Sequence, residues 1–241
     1  MKRRTLLVGL ALLAGLSTAE AQPARPEGKV YTPGPFDTIE ISGSAWVTFT
    51  QGPVDAVTVF GGDEQLHGSV FRVRDGRLVI DQSGSWKFWE SGRMRVEVTA
   101  RELRRVTISG AASFLAPAPV RADKLVVRIS GAGSARFHRL DAESLTFDIS
   151  GHGEGTVAGS VQKLSLDISG RGDFRGAGLR AERSAVAIAG VGDVEVWAVQ
   201  DLAIAVAGIG KVDYWGTPAS VRRSISGAAT INDRGARDAP R

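Results

Sequence analysis

The chain has no cysteine, and this absence removes several kinds of chemistry at once. Disulfides, thiol nucleophiles and cysteine-ligated metals are excluded, so the stability of the fold must come from packing and backbone pairing. Aromatic residues make up only 7% of the sequence, and no run of basic residues occurs that could neutralise a nucleic-acid backbone. The three histidines share no spacing typical of metal ligands. We therefore expect no nucleic-acid partner and no cofactor.

Long apolar runs are also absent, with one exception at the amino terminus. Residues 1–21 combine a basic start, an apolar stretch over residues 6–16 and a small-x-small ending. This arrangement is typical of a secretory signal peptide cleaved before Gln22. An uncleaved membrane anchor is the alternative, but the apolar stretch is too short to span a bilayer comfortably. Cleavage removes three basic residues and one acidic residue, which lowers the net charge from +4 to +2. We expect a protein that is periplasmic, secreted or on the cell surface.

Glycine, in contrast, is abundant, with 30 residues, and many of them belong to a recurring phrase of Ile or Val, Ser or Ala, and Gly. The phrase occurs at Ile41–Gly43, Ile108–Gly110, Ile129–Gly131, Ile149–Gly151, Ile168–Gly170, Ile188–Gly190, Val206–Gly208 and Ile225–Gly227. From Gly110 onward its copies are 18 to 21 residues apart. A period near 20 residues with no helical pattern between copies indicates a β-solenoid.

Apolar residues alternate with polar ones around each copy of the phrase. They lie two and four residues before the glycine, and again four and six residues after it, with Arg223 breaking the pattern in the last copy. Period-2 alternation places both sets on the inner side of strands, so the isoleucines are expected to stack into a stabilising ladder. We expect the glycine at a sharp corner with unusual backbone dihedrals, since the next coil lies only ~4.8 Å away.

The sequence thus predicts a single-domain, all-β protein: a β-helix, or β-solenoid, with ~20-residue coils. A separate small β domain over residues 36–100 is the alternative to continuous coils. The predicted organisation is a signal peptide over 1–21, a flexible segment over 22–35, the solenoid over 36–231 and a tail over 232–241, with irregular coils in 36–100 and regular repeats in 101–231.

The repeated phrase, the opening Phe36–Gly43 and the run Arg77–Ile80 resemble a bacterial family, the "putative auto-transporter adhesin, head GIN domain" family. The resemblance covers roughly residues 36–231. It implies a β-helix similar to pectin-lyase-like folds, with a right-handed coil preferred, and it implies cell-surface adhesion with no established catalytic residues.

Aromatic residues supply the candidate binding residues. The segment 84–93, expected to project as a loop, contains Trp86, Phe88 and Trp89, which would form a contact surface or a cap over an open end of the stack. Trp197 and Trp215 lie at equivalent outward positions of neighbouring coils. We expect them to form a pair of exposed, stacked rings suited to a sugar or a protein partner.

Acidic residues raise two alternatives to plain binding. Glu154, Asp173 and Asp193 occupy one outward position of three successive coils, so they are weak candidates for calcium ligands; a solvated acidic stripe with no metal is the favoured interpretation. Asp148 and Asp167, one coil apart at ~5 Å, match the spacing of a retaining glycosidase, but a narrow coil offers no cleft. An enzyme predicts a deep groove holding this pair, and a calcium module predicts that a chelator lowers the melting temperature.

Small residues mark a last candidate surface. The outward positions Ala185, Ala187, Ala203 and Ala205 form an uncharged patch on two coils. Such a patch suggests contact with a second protomer, giving a homo-oligomer, or with the amino-terminal segment folding back.

The function predicted from the sequence is an exported, non-catalytic β-helix that presents an adhesion surface at the cell envelope to a cell-surface protein or glycan. The alternatives are a carbohydrate-active β-helix enzyme and a calcium-dependent binding module.

Overall fold

The computed structural model describes residues 28–60, 69–82 and 94–237, and the regular elements in these ranges are all β-strands. The strands are β1 (Lys29–Tyr31), β2 (Thr38–Ser42), β3 (Ala45–Gln51), β4 (Ala56–Phe60), β5 (Ser69–Arg74), β6 (Arg77–Gln82), β7 (Met94–Ala100), β8 (Arg105–Ile108), β9 (Ser113–Ala116), β10 (Val120–Ile129), β11 (Ala132–Ile149), β12 (His152–Ile168), β13 (Arg171–Ile188), β14 (Val191–Val206), β15 (Ile209–Trp215), β16 (Ser220–Ile225) and β17 (Ala228–Asp233). They form one 17-stranded sheet. The sheet winds into a β-solenoid of about six turns with ~20-residue coils, which confirms the predicted fold class.

Each coil contributes a strand segment to two faces. The front face, made by residues preceding the phrase glycine, stacks β5, β6, β2, β8, β10, the second halves of β11 to β14, and β16. The back face, made by residues following it, stacks β1, β4, β7, β3, β9, the first halves of β11 to β14, β15 and β17. From β8 and β9 onward every pairing is parallel, because successive coils run in the same direction.

The predicted isoleucine ladder runs through the interior. Ile129 pairs in register with Ile149, which pairs with Ile168 on the next coil. The full column is Ile80, Ile41, Ile108, Ile129, Ile149, Ile168, Ile188, Val206 and Ile225. All members except the last are at most 1% exposed. Each buried member stabilises the fold by about 1.5–3 kcal/mol, so the ladder outweighs any surface ion pair.

Large and small side chains alternate in the rest of the core. The rings of Phe49, Phe114 and Phe137 form a stack with centroid separations of 6.0 and 5.5 Å. Phe147 and Phe174 meet edge-on at 5.2 Å. Gly155 lies between these two rings, and a Cβ there would come within 2.6 Å of Phe147 and 2.9 Å of Phe174. The inner glycine therefore makes room for two aromatic rings.

Close stacking, and not an unusual backbone, explains most of the phrase glycines. Gly43 has a positive φ of 94°, as expected for a sharp corner, but its equivalents from Gly110 onward do not. At Gly131 and its successors, a Cβ would overlap with the carbonyl oxygen of the phrase glycine one coil below. The expectation of unusual dihedrals was therefore wrong for all copies but the first, because the limiting factor is the distance between coils.

The amino-terminal strands depart from sequential stacking. The coil of β2 and β3 lies between that of β6 and β7 on one side and that of β8 and β9 on the other, with parallel pairing on both sides. Antiparallel pairs lie beyond it: β5 with β6, and β4 with both β7 and β1. The spatial order of these coils thus differs from their order in the chain.

Candidate functional site

A column of charged side chains runs along the back face. Ser134, Glu154, Asp173, Asp193 and Lys211 pair in register on successive coils. Arg175 Nη1 donates to Glu154 Oε1 at 2.6 Å, and Lys211 Nζ lies 3.3 Å from a carboxylate of the next outward column. Among the residues that the structure describes, no three His, Asp or Glu side chains are grouped so as to hold a metal ion. Calcium binding at the acidic residues stays a prediction.

The front face carries the two carboxylates considered for catalysis. Asp148 and Asp167 are register neighbours on β11 and β12. Arg128 Nε donates to Asp148 Oδ2 at 3.0 Å, so this carboxylate is already paired with a guanidinium group of the preceding coil. Asp167 is exposed. The largest concavity of the described surface lies elsewhere and is lined by neither of them.

This largest concavity, of about 1030 Å³, is named here the corner cleft. It lies where the back face turns into the front face, and several coils contribute to it. Its lining residues are Asp37, Thr38, Glu102, Leu103, Arg104, Arg105, Arg121, Ala122, Asp123, Lys124, Val126, Asp141, Ala142, Glu143 and Ser160. The cleft was not predicted, because its wall combines residues far apart in the chain, which no local pattern reveals.

Charges within the corner cleft are only partly paired. Arg104 Nε lies 3.3 Å from Asp37 Oδ2, and Ser160 Oγ donates to Asp141 Oδ1 at 3.1 Å. The side chains of Arg105, Arg121 and Lys124 are exposed and have no ion-pair partner within the described ranges. These three cations are therefore free to contact an acidic group from outside, and the exposed carboxylates of Asp123 and Glu143 in the same cleft are likewise without an ion-pair partner among the described residues.

A glutamine side chain holds the wall of the corner cleft in place. Gln51 Nε2 donates to the carbonyl oxygens of Arg101 and Arg121, at 2.9 and 3.0 Å. Its Oε1 accepts the backbone N–H of Arg121 at 2.8 Å. The amide thus bridges three stretches of chain, pinning the start of β10 against the segment that follows β7. Of the two residues whose backbones it contacts, Arg121 lines the cleft.

The two tryptophans at equivalent positions do not form an exposed pair. Trp197 and Trp215 are register neighbours as expected, but Trp197 is only 4% exposed, so the prediction of its exposed ring was wrong. The coil of β14 is three residues shorter than that of β13 at this corner. Gly176 pairs with Val196 and Arg180 pairs with Trp197, so four steps along β13 correspond to one step along β14. At this shortened corner the ring is covered, with Cδ1 close to Gly216, and it does not belong to the interior hydrophobic cluster that includes Val196 and Ala198. Trp215 is half-buried, and Arg237 Cζ lies 5.4 Å from its ring centroid. Trp86, Phe88 and Trp89 lie outside the described residues.

The alanine patch is present on the front face as expected. Ala185 pairs with Ala203, and Ala187 with Ala205, on β13 and β14. Their methyl groups point outward: Ala185 and Ala205 are exposed, and the other two are half-buried. Together with Asp167 and residues of β16 they line a shallow depression of about 340 Å³.

Comparison with known families classifies the chain. A family model described as "Putative auto-transporter adhesin, head GIN domain" matches residues 35–218. The chain belongs to this family. The resemblance noted from the repeated phrase is thereby confirmed, and the family description is that of an adhesin. No curated protein matches the chain.

Solved structures share the fold of this head GIN domain protein. A "putative adhesin" from Bacteroides fragilis superposes with a TM-score of 0.81 at 23% identity, over 85% of this chain and 94% of that one. A "putative lipid binding protein" and a "putative adhesin" from Parabacteroides distasonis give TM-scores of 0.65 and 0.63, both at 20% identity. They cover 87% and 85% of this chain, and 97% and 94% of their own. At these identities the likeness shows the fold alone.

The carboxyl-terminal end of the head GIN domain is closed by polar side chains at interior positions. Tyr214 donates its hydroxyl to Asp233 Oδ2 at 2.8 Å and accepts a hydrogen bond from Arg223 Nη2 at 3.1 Å. Burial and the adjacent Asp233 carboxylate raise the pKa of the Tyr214 hydroxyl. The backbone N–H of Gly235 and this hydroxyl hold the pKa of Asp233 below its usual value. Arg223, which breaks the apolar pattern in the sequence, thus belongs to a polar cap.

Asp213 anchors a second cluster beside this cap. Arg234 Nη2 donates to both of its carboxylate oxygens at 3.1 Å, and Asn232 Nδ2 donates to Oδ1 at 2.7 Å. Burial raises the pKa of Asp213, but the hydrogen bonds from Arg234, Asn232 and Lys211 outweigh burial and hold the pKa below its ordinary value. These contacts join the last two coils of the back face.

Across the described part of the chain, no helix has the length and hydropathy needed to cross a membrane.

Proposed function

We propose that this head GIN domain protein is exported and, without catalysing a reaction, presents a binding surface at the bacterial cell envelope. The three-part signal sequence supports export. The family description supports adhesion. The solenoid suits this role because stacked coils hold outward side chains at fixed spacings on a rigid frame. The partner is a cell-surface protein or a glycan.

The corner cleft is the observation that carries this proposal. Its three unpaired cations, Arg105, Arg121 and Lys124, lie in a concavity of about 1030 Å³ among acidic neighbours. Guanidinium and ammonium groups bind carboxylate and phosphate oxygens through charge-assisted hydrogen bonds. A ligand with an acidic group therefore fits the cleft, whether that group belongs to a glycan or to a protein side chain.

Binding of the exported protein to envelope fractions and to a glycan array tests the proposal. The double variant Arg121→Glu/Lys124→Glu should weaken binding at least about tenfold, since it replaces two attractive contacts by repulsive ones. The control is Arg95→Glu/Arg171→Glu, which changes the net charge equally at two exposed residues outside the cleft. Equal losses in both variants would mean nonspecific attraction and would contradict a site in the cleft. No binding by the unaltered protein would contradict the function itself.

The aromatic segment gives a second arm of the same experiment. We propose that Trp86 and Trp89 contribute a contact surface, as their sequence suggests. The double variant Trp86→Ala/Trp89→Ala should then reduce binding to the same fractions while leaving the thermal stability unchanged. A fall in melting temperature with binding retained would instead indicate a structural cap.

A further inference from the structure

The front face of four strands, β12, β13, β14 and β16, is nearly bare of large side chains at its centre. Six alanines project from the two middle strands, namely Ala185, Ala187, Ala189, Ala203, Ala205 and Ala207. Most of them are exposed. At equivalent positions of earlier coils the outward residues are charged, as at Arg128 and Asp148. We call the outward residues of these four strands the alanine face.

Charged residues surround the alanines in a self-complementary pattern. Asp167 lies on β12 at one border, and Arg222 lies on β16 at the opposite border. Arg222 donates to Ser220 Oγ at 3.3 Å, but neither border charge has an ion-pair partner among the described side chains. The contrast is Arg128, which pairs with Asp148 one coil away. Asp167 lacks such a neighbour because the next coil offers Ala187.

A second pair of opposite charges lies at the end of the two middle strands. Arg183 on β13 and Asp201 on β14 are register neighbours, yet no ion pair joins them and neither has another such partner within the described ranges. These four outward charges, and Lys163 at the same end of β12, are thus left without an ion-pair partner among the described residues. An uncharged centre with unsatisfied charges around it is typical of an interface.

Two-fold symmetry satisfies all four charges. A two-fold axis parallel to the strands, midway between β13 and β14, lays β13 on β14 of a second copy and β12 on β16. Arg183 then lies opposite Asp201 of the second copy. Asp167 lies two residues, roughly 7 Å along the strand, from Arg222 of the second copy, a distance that an arginine side chain spans. An axis perpendicular to the strands at the level of Ser165 brings Asp167 opposite Lys163 of the second copy, but it lays Arg222 on Arg222 and leaves Arg183 and Asp201 opposite alanines.

We infer that the alanine face is a self-association surface, on which two copies pack face to face about this axis. The contact is isologous, and every ion pair occurs twice. Four strands spaced 4.8 Å apart and seven residues long cover roughly 450 Å² on each copy. The total of about 900 Å² is less than most stable complexes bury. The dimer is therefore weak, and its population depends on the protein concentration.

The amino-terminal segment, the other occupant suggested by the sequence, does not reach this face once the signal peptide is cleaved. Six residues, 22–27, precede the described chain and span at most about 21 Å. β1 lies seven strand spacings, or roughly 34 Å, from β13 along the stack. A second copy is the occupant that the geometry and the charges favour.

Sedimentation velocity of the full chain, expressed with its own leader and purified from the exported fraction, tests the inference. Between about 5 and about 500 µM, the unaltered protein should shift from monomer to dimer. Ala187→Asp/Ala205→Asp should abolish the shift, because it places carboxylates in the centre of the contact. Thr146→Asp is the matched control: it lies on the same face, on β11, outside the four overlapping strands, and should leave the shift unchanged.

A charge exchange gives the decisive comparison. Asp167→Arg alone and Arg222→Asp alone should each weaken dimerisation at least about tenfold, because like charges then meet across the axis. The combined variant Asp167→Arg/Arg222→Asp should restore it. Within one chain the two residues stand three strands apart, about 14 Å, so restoration cannot arise from a contact inside the chain. Far-UV circular dichroism checks that each variant is folded.

The opposite outcomes overturn the inference. A monomer at every concentration does so directly. A dimer that the charge exchange does not restore shows that another surface or another axis is used. If the alanine variant lost binding to envelope fractions while the sedimentation of the unaltered protein stayed monomeric, the face would belong to a different partner.

Discussion

At the scale of single residues, the distance between coils restricts side chains more strongly than their polarity does. At Gly170, a Cβ would overlap with the carbonyl oxygen of Gly151, which already accepts the N–H of Arg171 at 2.9 Å. At Gly210, the nearest atom to a Cβ would be the flexible Cδ1 of Ile188, at 3.0 Å. Gly170 and Gly210 thus differ in their tolerance of a side chain, although both are repeat glycines in the sequence.

This difference predicts unequal effects of one substitution. Gly170→Ala should lower the free energy of unfolding by more than about 2 kcal/mol, since the backbone must move and lose a hydrogen bond. Gly210→Ala should cost less than about 1 kcal/mol, because the Cδ1 methyl group of Ile188 can move away when its side chain rotates. Urea unfolding of both variants measures the difference. Equal costs would show that backbone contact does not limit the first position.

At the scale of elements, the terminal strands β15 to β17 depend on charged contacts that the inner coils do not need. Within the described ranges no further strand pairs with the outer sides of β16 and β17, and Ile225 is 47% exposed although it ends the isoleucine ladder. The contacts of Asp213 with Arg234, and of Tyr214 with Asp233 and Arg223, hold this end together. Such an end of a solenoid is expected to open before the rest.

The direction of the pKa shifts predicts how this end responds to pH. Because the pKa values of Asp213 and Asp233 are lowered, their contribution to stability is present above about pH 4 and is lost as the pH falls through the lowered values. Because the pKa of Tyr214 is raised, its contribution is present below about pH 10 and is lost as the pH rises through the raised value.

Hydrogen exchange measures this response. Amides of β16 and β17 should exchange faster below about pH 4, after correction for intrinsic rates, while those of β12 should remain protected. In Asp213→Asn, exchange at the end should already be fast at neutral pH and should change less on acidification. Identical protection of both regions at all pH values would contradict a separate role for the terminal cluster.

The elements differ in how well the sequence predicts them, for reasons of chain geometry. The coils from β8 to β14 were predictable because each repeats one local pattern that independently places its isoleucine inside. The insertion of β2 and β3 between later strands depends on pairings that no local pattern records. The burial of Trp197 escaped prediction because it occurs at a corner where three residues are missing relative to the preceding coil, which the repeat pattern does not record. The corner cleft escaped because residues as distant as Asp37 and Asp141 form it.

At the scale of the whole molecule, stacking makes stability approximately additive over coils. Each inner coil pairs only with its two neighbours. The ladder positions of β12, β13 and β14 all hold a β-branched aliphatic residue, namely Ile168, Ile188 and Val206. Removing one complete coil should therefore leave the remaining interior columns continuous. Removing half a coil should not, because every later residue would then change faces.

A pair of deletions tests this additivity. Deleting residues 171–190 joins β12 to β14 in register and should give a folded, less stable solenoid that unfolds in a single cooperative transition. Deleting residues 171–180 should abolish the folded state, since the second half of β13 would replace its first half. Circular dichroism with thermal unfolding distinguishes the two. A folded product of the shorter deletion would contradict the model of stacked, in-register coils.

The position of the coil of β2 and β3 has a consequence for synthesis and export. This coil is made first, yet its two neighbours in the stack come from residues 77–100 and 105–116. As the chain emerges amino terminus first, these early strands can pair on one side only after residues 77–100 have been made and on the other only after residue 116, whereas each later coil can dock as soon as it appears. Losing residues 38–51 would accordingly not shorten the molecule at one end; it would remove a middle layer and separate the antiparallel strands from the regular repeats.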